Sequence, residues 1–378
     1  MKIYAATEID RVLDEFFINE QTIANLTEII MTPMQNGKIV CNEAEVQALV
    51  KSGFGKKKFK YTEEQRIILG IICLALEQSI ETIKKKIPIT YMREILVRAM
   101  VLAEGFVQEN AFAKNILLEP GVYGQFEVVE SSYRAYEVFP YDQPDVIGIT
   151  VFPKLGVFRE TCTFPTIRYA SNHQPWISLS PNEITSMDKM ISETTGSNIL
   201  VLGCGIGYYA FFLSENPSVR NITIVEPDKA KFRFFSDQIL PQFPNKNKIH
   251  LLNLDPFAYL DTLEDGTFKS CFVSLWENNL ECDSYIKAKL ACKKFGKMKC
   301  LFWNEKMLLR TLSGFIVQIL QVFRNGGDAI YKKAFNRCEE PTKFTLKYLM
   351  KKLDGIDFRS GAQLETYLNP INLNILLF

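Results

Sequence analysis

The chain has 378 residues, enough for two hydrophobic cores, and its 47% hydrophobic and 23% charged composition is that of a soluble globular protein. Its 44 basic and 43 acidic residues nearly cancel, which argues against nucleic acid as an obligatory partner. Nine cysteines without a C-x-x-C pair, and only two histidines, His173 and His250, argue against a zinc site and for a reduced, cytoplasmic chain.

Residues 1–8 reach an acid before any apolar run, so no signal peptide is read there. Residues 7–119 read as helical. Thr62-Glu63-Glu64-Gln65 is a capping box in front of a helix over 66–86, which Pro88 stops. The most apolar window, 67–80, contains Glu77 and is too short to span a bilayer, so it is a core helix. Thr90 caps the next helix, with Met92, Ile95, Leu96, Ala99, Met100, Leu102 and Ala103 at helical spacing. Between the early helices, residues 51–60 form a basic loop with Phe54 and Phe59 among lysines. Such a loop suits a phosphate or an RNA strand, but the neutral net charge favours a solvated loop.

Over 121–169 the pattern changes to β-formers punctuated by prolines, with strands expected at 126–130, 146–152 and 161–164. This predicts a small antiparallel unit. Ser180-Pro181-Asn182-Glu183 then starts a helix, with Ser180 as N-cap and Pro181 at the first helical position. Trp176 precedes it, either lining a ligand site or anchoring a domain interface.

The most informative stretch is 198–255. Asn198-Ile199-Leu200-Val201-Leu202 is a buried parallel strand, and Gly203-Cys204-Gly205-Ile206-Gly207 turns it into a helix. A second buried strand, Ile222-Thr223-Ile224-Val225, ends on Glu226, about 20 residues beyond the turn, where a ribose-binding acid stands in a βαβ nucleotide site. A dinucleotide turn would need a small residue where Tyr208 stands, so a ligand with ribose and adenine but no phosphates fits better. A third strand, Ile249-His250-Leu251-Leu252-Asn253-Leu254, leads to Asp255.

In these three motifs the chain resembles the class I S-adenosylmethionine-dependent methyltransferases. The resemblance implies a Rossmann-like doubly wound α/β sheet and S-adenosylmethionine as cofactor. It also implies donor contacts from Gly203, Cys204, Gly205, Gly207, Glu226, Pro227, Asp255, Pro256, Ser274 and Trp276, with Asp255 at the adenine amino group. The fourth strand, 268–276, is similar to the spermidine-synthase-like branch of that superfamily. There Ser274 and Ser270 replace the acids of the pattern, which removes the base that an amine acceptor requires. A fifth strand is expected over 298–303, and Trp276, Glu277, Asn278, Trp303 and Glu305 are expected around the acceptor.

An amphipathic helix over 308–323 ends at Arg324-Asn325-Gly326-Gly327, another begins at 343, and residues 371–378 are the one late strand candidate. The expected domains are a helical one over 1–120, a β-rich unit over 121–175 and a Rossmann-like one over 176–378. The expected function is methyl transfer to a small-molecule acceptor. Transfer to RNA or protein, or binding without turnover, are the alternatives. No membrane partner is expected, and a homodimer is left open.

Overall fold

Five short strands form a parallel sheet; the three central ones are buried along nearly their whole length and read as continuous apolar runs, whereas the two edge strands expose His250 and Lys299. The five are β1 (Asn198–Leu202), β2 (Asn221–Val225), β3 (Ile249–Leu252), β4 (Ser270–Val273) and β5 (Lys299–Phe302). Their order is β3-β2-β1-β4-β5, all parallel, with Ile199 opposite both Ile222 and Ser270. The chain steps outward from β1 through β2 to β3, then returns to the other side of β1. That reversal makes the switch point between β1 and β4.

The connecting helices are α1 (Tyr208–Glu215), α2 (Lys229–Phe234), α3 (Pro256–Asp261), α4 (Cys282–Cys292) and, after β5, α5 (Glu305–Asn325). One face of the sheet, through Leu200, Leu202, Cys271, Val273 and Phe302, joins a core with Tyr285 and Ile286 of α4 and Leu308, Leu312 and Ile316 of α5. On the other face Tyr209 of α1 stacks on Phe272 at 4.0 Å between centroids. Helices on both faces complete a Rossmann-like α/β layer structure.

This computed structural model describes residues 2–3, 7–52, 61–75, 87–325 and 327–378. The basic segment 53–60, the second half of the helix expected over 66–86, and Gly326 lie outside them. The chain falls into two compact units, one of Met1–Phe17, Val146–Thr150 and Lys189–Phe378, the other of Ile18–Asp145 and Val151–Asp188. The first holds the parallel sheet. A two-residue strand, Lys2–Ile3, pairs there in parallel with Asp357–Phe358.

The second unit carries the early helices and an antiparallel sheet. Thr62 and Gln65 form the reciprocal capping box, Gln65 N–H donating to Thr62 Oγ1 and Thr62 N–H to Gln65 Oε1. Phe126–Tyr133 pairs antiparallel with Cys162–Tyr169, which pairs in turn with Pro175–Ser178. Trp176, on that last strand, packs its ring 4.9 Å from Phe126.

Five sequence expectations need correction. Thr90 is no cap: it lies inside the helix Ile89–Arg98, whose N-cap position is Pro88. Residues 146–152 are not one strand: Phe139–Ile147 and Thr150–Val157 flank a turn at Gly148, which has φ +60°. The stripe from Met92 to Ala103 is helical only to Arg98, because Met100–Val101 pairs with Gly156 and Val157. A Cβ on Gly156 would lie 2.6 Å from Leu102, so that glycine admits the strand. Residues 371–378 are no strand, since Pro370–Leu377 is a helix capped by Asn369. The third strand of the parallel sheet stops at Leu252, three residues before Asp255.

Among the described residues one helix, Glu305–Arg324, has the length and apolar composition to cross a membrane, and half of it is buried inside its unit.

Candidate site at the carboxyl ends of the parallel strands

Gly203, Gly205 and Gly207 have φ of +92°, +50° and +79°, the left-handed region where an L side chain is strained. Gly203 N–H donates to Val225 O, and a Cβ there would stand 2.2 Å from the Ser274 carbonyl oxygen. Gly207 is the N-cap of α1, and a Cβ there would meet the Phe235 ring at 2.5 Å. Two of the three glycines therefore make room for neighbouring parts of the same fold.

Glu226, at the exit of β2, is buried and faces this turn. Its Oε2 accepts the Cys204 N–H at 3.0 Å and its Oε1 the Asp228 N–H at 2.9 Å. A carboxylate has about four acceptor sites, so each oxygen keeps capacity for a second donor such as a ribose hydroxyl. The residues present thus fit a nucleoside. Cys204 contributes its backbone, since its thiol is buried, and burial together with the Glu226 charge pushes the thiol well up.

Pro227 is exposed, and its carbonyl accepts from Asn253 Nδ2 at 3.2 Å, as does the Glu226 carbonyl at 2.8 Å. Asn253 thereby ties the exits of β2 and β3. Asp255 is the N-cap of α3: its Oδ1 accepts the Ala258 N–H at 2.8 Å, and Pro256 occupies the first helical position. Both follow β3 at the carboxyl end of the sheet, with the Asp255 carboxylate engaged in capping.

Beyond β4, Ser274 N–H donates to Leu202 O and extends the ladder by one residue, placing its carbonyl over Gly203. Trp276 is buried, with its indole N–H on the Trp303 carbonyl at 3.1 Å and its ring edge-on to Tyr285. It holds the exits of β4 and β5 together. Ser270 is at the opposite end of β4, buried, donating to Thr195 O and accepting the Thr195 N–H. A structural role explains Ser270 without reference to a missing acid at the ligand end.

Three residues at these exits carried no sequence signal. Asn304, after β5, has φ +54° and is buried, with its Nδ2 on Asn279 Oδ1 at 2.6 Å. Asn253 is described above, and Lys231 of α2 reaches Glu277 after β4. Each acts through a partner 25 or more residues away, which no local pattern reveals.

No family model matches the chain, and no curated protein does. Among solved structures it is similar to MnmC2 from Aquifex aeolicus, at 13% identity over 82% of this chain and 98% of that one, with a TM-score of 0.27.

Proposed function

We propose that the parallel-sheet unit binds S-adenosylmethionine at the exits of β1, β2 and β3 and transfers its methyl group to a small-molecule acceptor. The observation that carries this reading is the clamp between Glu226 and the Cys204 N–H. It ties a carboxylate to the glycine turn beside the switch point, and leaves that carboxylate acceptor capacity.

The bound donor supplies an electrophilic methyl group on a sulfonium. Glu226 accepts ribose hydroxyls through its remaining lone pairs. The loops carrying Pro227 and Asp255–Pro256 flank the base. Ser274 and the loop that follows border the acceptor. Displacement at a sulfonium needs alignment and exclusion of water more than a proton carrier, so a serine at Ser274 is compatible with it. Abstraction of a proton from an ammonium acceptor is not within a serine's reach at neutral pH. The balance of 44 basic against 43 acidic residues supports a small acceptor over a polyanion.

The experiment supplies isotopically labelled S-adenosylmethionine with pooled cell metabolites in one reaction and with total RNA in another. Label in a small product is expected. Label only in RNA would overturn the acceptor class, and no label in either would leave binding without turnover.

A further inference from the structure

Alternation along β4 and β5 puts Cys271 and Cys300 on one face of the parallel sheet, the face that Val273 and Phe302 present to α4. Their Cα atoms are register partners on neighbouring strands. Cys292, the last residue of α4, is buried in the same core. α4 carries the chain from the exit of β4 back to the start of β5, so Cys292 arrives at the amino ends of the strands. The three thiols hydrogen-bond to one another there. This is the opposite end of the sheet from the candidate donor site. Cys271 and Cys292 are buried and Cys300, on the edge strand, is half-buried.

The arrangement is not symmetric. Cys271 and Cys292 donate S–H to the Cys300 sulfur, and these bonds, with the Lys289 charge, outweigh burial and bring the Cys300 thiol well below its usual range. Lys289 is fixed on this face, its Nζ on Glu305 Oε1 at 2.8 Å and over the Phe302 ring at 4.6 Å. Burial and donation to the neighbouring sulfurs keep the proton on Cys271. Cys292 accepts from Cys271, but its donation to Cys300 and its burial push it up to about 12. The contact of Cys300 Sγ with Met298 O, at 3.7 Å, belongs to the neutral thiol and is given up on ionisation. Exposure alone does not produce this: Cys73 is half-buried too, and burial pushes its thiol up to about 11.

A thiolate flanked by two thiols is arranged for oxidation to a disulfide. Among the described residues no group of His, Cys, Asp or Glu side chains is arranged to hold a metal ion. We propose that Cys300 is a site of oxidation by hydroperoxides, with Cys292 as its resolving thiol and Cys271 as the residue that positions it. The Cys300 sulfur attacks one peroxide oxygen, the O–O bond breaks, and hydroxide leaves from a sulfenic acid. The Cys292 sulfur, its proton passed to that hydroxide, then attacks the Cys300 sulfur, the S–O bond breaks, and the second hydroxide takes a proton from solvent. Two sulfurs lose one electron each and the peroxide is reduced by both. Cys292 resolves because it ends a helix, whose last turn can give, whereas Cys271 is laddered on both sides, to β1 and to β5.

The test exposes the reduced full chain to limiting hydrogen peroxide and maps its peptides without reductant. A Cys292–Cys300 disulfide is expected, with the half-buried Cys73 and Cys338 still free. This measurement needs no substitution, so it does not depend on a variant that folds. In Cys292→Ser the sulfenic acid at Cys300 should persist and be captured by dimedone. Cys300→Ser should slow the loss of thiols to peroxide at least about tenfold. Cys271→Val should raise the pH at which Cys300 reacts with iodoacetamide, and Cys271→Ser, which keeps a donor, should restore it. Oxidation of Cys73 or Cys338 ahead of Cys300, or no dimedone adduct on Cys300 in Cys292→Ser, would overturn the site. A Cys271–Cys300 disulfide in the wild type would overturn the choice of resolving thiol, and a pH profile unmoved by Cys271→Val would overturn the positioning role.

Discussion

At the scale of single residues, the glycine turn is left-handed at Gly203, Gly205 and Gly207, and the missing Cβ atoms of Gly203 and Gly207 let the Ser274 carbonyl and the Phe235 ring close in. Gly203→Ala would place a methyl against the Ser274 carbonyl in a strained backbone, and neither strand can move far within the sheet. The expected loss is about 2–5 kcal/mol, read as a lower denaturation midpoint in urea. A midpoint equal to that of the wild type would refute the close approach. The glycines and Glu226 were legible in the sequence because their requirement is local: a backbone sign and an interval. The reason for Gly203 was not, because the atom it avoids lies on a strand about 70 residues later.

At the scale of elements, some helix starts were legible, although the one at Ile89 was not, since Thr90 lies inside that helix. Ser180 caps Pro181–Glu193 as its sequence implies, with the Glu183 N–H at 3.5 Å from Ser180 Oγ. The environment of Glu183 was not legible. Burial pushes its carboxyl from 4.5 up to about 7. An acid whose folded value is raised holds its proton in the folded chain while the unfolded chain has lost it. Stability from this group therefore falls as pH rises from about 4.5 to about 7, by up to about 1.4 kcal/mol per pH unit. Glu183→Gln should flatten that slope and be the more stable chain, relative to wild type, at pH 8 than at pH 5. Unfolding free energies in urea at the two pH values check this, and parallel slopes would contradict it. Elsewhere tertiary pairing overrode local pattern. Met100 and Val101 continue a helical stripe yet leave the helix to pair with Gly156 and Val157. Residues 371–378 have an apolar run that suits a strand, but Asn369 and Pro370 start a helix over Pro370–Leu377.

At the scale of the molecule, the three motifs over 198–255 were enough to expect a doubly wound sheet, because each motif stands at a strand exit and strand exits define the switch point. The extent of the unit was less visible. Its sheet stops at β5 among the described residues, and its C-terminal segment is helical apart from Asp357–Phe358. The partner of that short strand is Lys2–Ile3, from the far end of the sequence. A two-residue strand has no periodicity to read, so such a pairing escapes any sequence pattern. The proposed function depends on a nucleoside held by the acid at the exit of β2. The most direct test is calorimetric titration of the full chain and of its Glu226→Gln variant with S-adenosylhomocysteine. The wild type is expected to bind at one saturable site. The variant should bind at least about tenfold more weakly, because an amide replaces the charge that would accept the ribose hydroxyls. A wild-type chain that gives no binding heat, or a variant with an unchanged isotherm, would contradict it.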